Sequence, residues 1–111
     1  MQLTITFRNL EAIDSLKSYA REAVERVSRF LDREGEAHVV LSVERHLHVV
    51  DITMRSGPWT FRGHDKSEDM YVSIDEAMDH VERQFLKTKD RVKQHHGREM
   101  VHHRHEMLQP L

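Results

Sequence analysis

The densest run of basic side chains in the sequence lies between residues 83 and 93. Five cations occur in these eleven residues, and Asp90 is the one acidic residue among them. Lysine and arginine bind phosphates, and the affinity for a polyanion grows with the number of phosphates that are neutralised. We therefore predict a phosphate-binding surface formed by Arg83, Lys87, Lys89, Arg91 and Lys93.

Histidine is the other residue type that could do chemistry, because its ring nitrogens bind transition metals. Five of the ten histidines fall between His95 and His105. A histidine-rich tract can capture metal, but no thiolate or carboxylate accompanies this one at a firm spacing. His46 and His48 are two residues apart and are typical of a polar sheet face. The sequence predicts neither a metal site nor a cofactor.

Catalysis is not predicted either. Serine, histidine and aspartate are all present, but none stands in a nucleophile-elbow motif. The four dispersed glycines cannot form a glycine-rich phosphate loop, and without cysteine there is no cysteine nucleophile, disulfide or thiolate metal site. We predict that the protein is not an enzyme and has no small-molecule substrate.

Charge and hydropathy narrow the partners and the compartment. The formal net charge is -2, so a polyanionic partner must be argued from where the charges lie. The first ten residues alternate polar and apolar side chains, unlike a signal or transit peptide. No apolar run approaches the length of a membrane span. We expect a cytoplasmic domain with no membrane partner.

A folded domain must position the basic run, and the hydrophobic periodicity predicts its elements. Leu3, Ile5 and Phe7 alternate with polar residues, as in a half-buried strand. A helix should follow, with Asp14 as its N-cap and its end near Gly35. Its apolar residues recur at spacings of three and four: Leu16, Tyr19, Ala20, Ala23, Val24, Val27, Phe30 and Leu31.

Three further strands and a second helix complete the pattern. The second helix should run from about Asp69 to His96 and stop at Gly97, with one apolar stripe. Three strands in succession indicate an antiparallel meander. Their alternating residues are Val39, Leu41 and Val43, then Val50, Ile52 and Met54, and then Trp59, Phe61 and Gly63; the helical stripe is Met70, Ile74, Ala77, Met78, Val81, Phe85 and Val92.

The order β-α-β-β-β-α predicts an α+β fold: a four-stranded sheet with both helices packed on one face. The first strand should pair with a strand of the meander. Residues 1–96 then form the domain, and residues 97–111 form a flexible, histidine-rich extension. The other sheet face should carry the polar residues Thr4, Thr6, Arg8, Ser42, Glu44, Asp51, Thr53, Arg55, Thr60 and Arg62.

The second helix is electrically split, with acids in its first half and the five cations in its second. At 100° per residue the cations occupy both flanks of the apolar stripe and the solvent side between them. Part of this pattern is the usual match between side-chain charge and the helix dipole. The dipole effect fades beyond the last turn, however, and five cations extend further than that. An RNA-phosphate surface accounts for their number.

The sequence resembles a known family along residues 1–95. The stretch "SEDMYVSIDEAMDHVERQFLKTKDRVKQH" is similar to the second helix of the ribosome hibernation promoting factors and ribosome-associated inhibitor A, also called sigma-54 modulation proteins. The opening "MQLTIT", the segment "FLDR" and the strand "VVLSVE" fit the same family. The resemblance implies the β-α-β-β-β-α fold that the periodicity also predicts.

The resemblance implies a function in translation. Such proteins bind the small (30S) ribosomal subunit in the mRNA and tRNA channel, and they inhibit the 70S ribosome in stationary phase or stress. By position, contacts to 16S rRNA fall on the five cations. Candidate additional contacts are Tyr71, His80, Arg26 and Arg29. His80 and Glu82 depart from the family pattern, so the extent of the RNA surface toward the start of the helix is open.

Long members of this family carry a further C-terminal dimerisation domain, for which 111 residues leave no room. The resemblance therefore implies a short form. Short forms either support 100S ribosome pairing together with a separate ribosome modulation factor or hold single 70S particles, and the sequence leaves this choice open. Two other functions are alternatives: a general double-stranded-RNA-binding module and, less favoured, a histidine-tail metal-binding protein.

Overall fold

The computed structural model describes residues 1–31 and 35–96, with side chains up to Lys89. Four strands and two helices follow in the order β-α-β-β-β-α. They are β1 (Gln2–Arg8), α1 (Asp14–Ser28), β2 (Gly35–Glu44), β3 (Leu47–Ser56), β4 (Trp59–Ser67) and α2 (Met70–His96).

The strands form one mixed sheet in the order β1-β2-β3-β4. β1 pairs in parallel with β2, with Ile5 opposite Val39. β2 and β3 are antiparallel, as are β3 and β4. The meander and the pairing of the first strand with one of its members are confirmed. We call the end of the sheet that carries the β3–β4 turn, residues 56–59, the hairpin end.

Both helices cover one face of this sheet and bury the alternating strand residues beneath them. The opposite face, here called the open face, carries the polar residues expected from the alternation, all of them exposed or half-buried. The predicted α+β fold is confirmed. The buried core consists of Leu16, Ala20, Ala23, Val24 and Val27 of α1, Ala37, Val39, Leu41, Val50, Ile52, Met54 and Phe61 of the strands, and Met70, Ile74, Ala77, Met78 and Val81 of α2.

The two helices lie side by side and run in the same direction, toward the hairpin end. Tyr71 of α2 donates a hydrogen bond to the Ser15 hydroxyl of α1 at 3.2 Å. Tyr19 of α1 donates to the Asp75 carboxylate of α2, with both oxygens at 2.9 Å. Each contact joins residues 56 apart in the sequence. The same offset places the end of α1 level with the middle of α2.

The predicted limits of the first helix are wrong at both ends. Asp14 is the first helical residue, whereas the N-cap is Ile13, which makes no side-chain capping bond. The helix ends at Ser28, because Phe30 N–H and Leu31 N–H bond to the carbonyls of residues only three positions earlier. The apolar period continues past this point, since Leu31 packs on the core from outside the helix.

Gly35 does not close the first helix but begins β2. A Cβ atom there would stand 1.8 Å from the Arg55 carbonyl oxygen, so the strand pairing itself requires glycine at this position. The predicted stop at Gly97, the extension at residues 97–111 and the side chain of Val92 lie outside what the structure describes.

Helix and sheet come close together at Gly63 of β4. A Cβ atom on Gly63 would stand 1.9 Å from the carbonyl oxygen of Ala77 and 3.0 Å from a methyl group of Val81. The α2 backbone therefore rests directly on the strand, and any larger residue would force the two apart.

Replacing Gly63 with alanine should lower the free energy of unfolding by more than about 2 kcal/mol, because the new methyl group overlaps backbone. Urea denaturation of the two proteins measures the difference. Thr60→Ala, an exposed change on the open face of the same strand, is the control and should cost far less. Equal stability of Gly63→Ala and the parent would contradict the close packing.

Candidate nucleic-acid interface

The first turn of α2 is fixed to the sheet by a chain of short polar contacts. The Asp69 carboxylate accepts a hydrogen bond from the Tyr71 backbone N–H at 2.9 Å and thereby caps the helix. The buried Ser73 hydroxyl donates a hydrogen bond to the His48 carbonyl of β3 at 2.9 Å. The Ser67 hydroxyl lies 2.6 Å from the Ser73 hydroxyl. These contacts fix where the helix starts and how it is rotated.

A second anchor holds the middle of α2 against the edge strand. Gln84 accepts a hydrogen bond from the Arg62 backbone N–H at 2.9 Å and donates one to the Arg62 carbonyl at 2.6 Å. β4 is at the edge of the sheet, so this peptide would otherwise lack a strand partner. The sequence analysis missed Gln84, because a polar residue on the flank of an apolar stripe gives no signal of such a contact.

Aromatic packing continues the attachment toward the hairpin end. The Phe61 ring of β4 meets the Phe85 ring of α2 edge to face, with centroids 6.1 Å apart. The Lys89 ammonium lies 6.0 Å from the Phe85 centroid, at the outer limit of a cation–π contact. α2 is thus held along β4 at Phe85, with Lys87 and Lys89 exposed to solvent.

The five predicted cations differ in their exposure and in whether an acid pairs with them. Arg83 is half-buried and forms an ion pair with Asp79 one turn earlier, at 2.7 Å. Lys87 and Lys89 are exposed, and neither forms an ion pair within the described part of the chain. Arg91 and Lys93 lie in α2, but their side chains are outside the described set.

Arg26 and Arg29 are brought to the same end as the α2 cations. Both are exposed, and the offset of 56 residues between the parallel helices places them level with Glu82 and Phe85. The Arg29 side chain also donates to the Glu25 carbonyl at 3.4 Å, which turns it back along its own helix. The hairpin end of the helical layer therefore combines cations from both helices.

Tyr71 is not brought to this cationic surface. It lies sixteen residues before Lys87, a rise of about 24 Å along the helix. Its ring meets that of Tyr19 edge to face, with centroids 4.9 Å apart, and its hydroxyl binds Ser15. The structure gives Tyr71 a role in joining the two helices. An RNA contact by this residue stays a prediction that this packing does not favour.

His80 also lies apart from the exposed lysines. It is half-buried and lines a groove along the β4 edge together with Arg62, His64 and Gln84. The groove faces the open side of the sheet, so a partner bound along the outer surface of α2 would meet His80 only at its margin.

The open face is polar, and ion pairs compensate part of its charge. Arg55 pairs with Glu36 at 3.4 Å, Lys66 pairs with Glu44 at 3.2 Å, and the His64 ring lies 2.6 Å from the Asp51 carboxylate. Exposed pairs like these add little stability, but they cancel charge locally. Arg55 and Lys66 thus have acidic partners on this face, whereas Lys87 and Lys89 on α2 have none among the described residues.

Within the described residues, no three histidine, aspartate or glutamate side chains come together as a metal site would require. His46 is exposed in the turn before β3, and His48 is half-buried on β3. The helices of the described segments include none long and apolar enough to cross a membrane. The histidine-rich tract from His102 onward is not part of the described structure.

The fold is a small β-α-β-β-β-α domain whose second helix separates acidic from basic side chains. Residues 3–93 match the family described as "Sigma 54 modulation protein / S30EA ribosomal protein", and the chain belongs to this family. The family that the sequence motifs suggested is thus confirmed.

Two relatives show how far the similarity extends. The ribosome hibernation promoting factor of Escherichia coli strain K12 is 34% identical over 95 residues, which cover 86% of this chain and 100% of the relative. The protein of the same name from Acidithiobacillus ferridurans is 40% identical over 78 residues, covering 68% of this chain and 100% of the relative.

Solved structures agree with the fold. The crystal structure of the Thermus thermophilus Protein Y N-terminal domain matches with a TM-score of 0.71 and 30% identity, over 76% of this chain and 94% of that one. A ribosomal subunit interface protein from Coxiella burnetii matches with a TM-score of 0.75 over 81% of this chain and 99% of that one, at 21% identity. The second match concerns the fold alone.

Removing the Gln84 amide should loosen the β4 edge locally. In Gln84→Ala the Arg62 backbone N–H loses its acceptor, so its hydrogen exchange should accelerate and the free energy of unfolding should fall by about 1 kcal/mol. Exchange measured by NMR and urea denaturation test this. Arg62→Ala is the control, because it removes a side chain but keeps both backbone bonds. Unchanged exchange at residue 62 in Gln84→Ala would contradict the anchor.

The Tyr19–Asp75 contact should make stability depend on alkaline pH. The hydrogen bond to Asp75, aided by burial, raises the pKa of Tyr19 above its ordinary value of 10.0. Because the folded pKa is the higher one, the stabilisation is fully present below pH 10 and is lost as pH rises through the folded pKa. The stability advantage of the parent over Tyr19→Phe should therefore shrink above pH 10.

The same contact can be tested by titration, because the chain has only two tyrosines. Phenolate absorbance of the parent should show Tyr19 losing its proton at a pH above its ordinary pKa. Asp75→Asn keeps a hydrogen-bond acceptor but removes the charge, so the pKa of Tyr19 should fall toward its ordinary value. Identical titration curves for the parent and Asp75→Asn would contradict the assignment.

Proposed function

We propose that this protein is a cytoplasmic ribosome hibernation factor that binds the small ribosomal subunit in the mRNA and tRNA channel and inhibits translation. The observation that carries the proposal is the concentration of unpaired cations at the hairpin end of the helical layer. It occurs in a chain of the S30EA family whose relatives are named ribosome hibernation promoting factors. Stationary phase or stress would be the condition of its action.

The proposed contacts are electrostatic. Lys87 and Lys89 are exposed on α2, and Arg91 and Lys93 continue the same helix. Arg26 of α1 and Arg29 at its C-cap lie alongside. Phosphates of 16S rRNA fit such a surface, because lysine and arginine bind them without reading sequence. Arg83 would contribute less than the exposed lysines, since its guanidinium already faces Asp79.

The proposed inhibition needs no chemical step. A rigid domain that occupies the decoding groove excludes mRNA and tRNA by steric competition, so its effect depends on occupancy. The anchors at Ser73, Gln84 and Phe85 serve this role because they fix the direction of the cations before binding. A preorganised surface loses less conformational freedom when it binds.

Sedimentation with purified ribosomes tests the proposal. The protein should migrate with 70S particles at physiological salt and reduce translation in a cell-free reaction. Adding a separate ribosome modulation factor then decides between two modes: 100S particles indicate pairing, whereas persistent 70S particles indicate that single ribosomes are held. Absence of co-migration would overturn the proposed function. Equal binding to free duplex RNA and to ribosomes would favour a general double-stranded-RNA module instead.

Charge reversal locates the surface. Lys87→Glu, Lys89→Glu and Lys93→Glu together should abolish ribosome binding, because they reverse three of the proposed phosphate contacts. The melting temperature should stay nearly unchanged, because Lys87 and Lys89 are exposed. The matched control reverses three exposed cations away from the helical layer: Arg8 and Arg62 on the open face, and Arg45 in the turn between β2 and β3. The control should bind nearly as the parent does. Equal loss in both triple variants would place the contact elsewhere.

A further inference from the structure

Trp59 is the single tryptophan of the chain, and it is 46% exposed. It begins β4 directly after the turn and pairs with Ser56. Phe61, two residues later on the same side of the strand, is only 3% exposed. The sequence pattern grouped these two residues together, but the core closes over Phe61 and leaves Trp59 at its rim.

The packing of α2 on β4 places Trp59 beside the basic half of the helix. Gly63 lies under Ala77 and Phe61 meets Phe85, so the helix runs antiparallel to the strand. One further step of two strand residues, about 6.7 Å, corresponds to between four and five helical residues. Trp59 is therefore level with residues 89 and 90 of α2, on the helical side of the sheet.

An exposed indole next to unpaired cations has the composition of a single-stranded RNA contact. Such surfaces combine lysine or arginine for the backbone with an aromatic ring on which a base stacks. Lys87 and Lys89 are exposed within the same stretch of α2. The turn before Trp59, with Gly57 at a φ of 59°, fixes the start of the strand that carries the ring.

We propose that Trp59 stacks on an unpaired base of the small-subunit rRNA, while Lys87 and Lys89 contact the phosphates beside that base. The inference rests on the proposed function and adds a base contact to a surface that otherwise binds only phosphates. Stacking tolerates any base, so Trp59 selects for an unpaired, accessible nucleotide at the right distance from the phosphates.

Salt dependence separates stacking from charge. Binding of the labelled full-length protein to small ribosomal subunits is measured from about 50 to about 200 mM salt. Trp59→Leu should bind about 5- to 100-fold more weakly at every salt concentration, with the slope of log affinity against log salt unchanged. Lys87→Gln should instead reduce that slope by about 0.7 to 0.9.

Two further variants complete the comparison. Trp59→Phe keeps a ring that can stack and should retain most of the affinity. Val72→Ala is the matched control: Val72 is 45% exposed on the same helix but in its acidic half, and its loss should leave binding unchanged. Chemical probing of the rRNA should show one unpaired base that is protected by the parent and by Trp59→Phe but accessible with Trp59→Leu.

The outcomes distinguish this inference from the proposed function. If the parent binds and Trp59→Leu binds equally well, or if Trp59→Phe loses as much affinity as Trp59→Leu, base stacking is overturned and the ribosome contact stands. If the parent itself fails to bind small subunits, the proposed function falls and the inference falls with it. Melting curves of the variants, monitored by circular dichroism, show whether any loss arises from unfolding.

Discussion

The seating of α2 on β4 is the contact on which the rest of the structure depends. With no side chain at Gly63, the carbonyl of Ala77 comes so close that a Cβ atom would stand 1.9 Å from it. A helix this near to the strand cannot turn about its axis without a clash. The hydrogen bonds of Ser73 to the His48 carbonyl and of Gln84 to the Arg62 backbone also fix the rotation of the helix. The positions from which Lys87 and Lys89 extend follow from these contacts.

The same seating separates charge along the molecule. Because α1 and α2 run in the same direction, the acids at the start of α2 lie far from the hairpin end and the cations of both helices gather near it. On the open face, by contrast, Arg55 and Lys66 face acids across the strands. A net charge of -2 therefore conceals a surface with a local excess of positive charge. Association with a polyanion depends on that local field more than on the net charge.

Periodicity alone predicted the elements, the meander and the core, because alternation and the 3.6-residue repeat report burial directly. It failed where a contact depends on residues distant in sequence. Leu31 kept the helical period although the chain had left the helix, since a core position can be reached from a loop as well. Gln84, Trp59 and the packing of Tyr71 on Tyr19 depend on which residues face each other across elements, and periodicity carries no such information. The family resemblance added the partner, which no pattern in the residues could provide.

A phosphate-binding surface explains why the protein would bind RNA, but it does not explain why it would bind at one particular site. Phosphates repeat along every RNA strand, so lysines and arginines fix distance and register but do not choose one site. A protein that must occupy one channel of a ribosome needs an additional constraint from shape or from contact with a base. The rigid attachment of α2 provides the shape, because it fixes the backbone positions from which the cations extend. Trp59, held at the end of a strand beside those cations, is placed where contact with a base would complete the constraint.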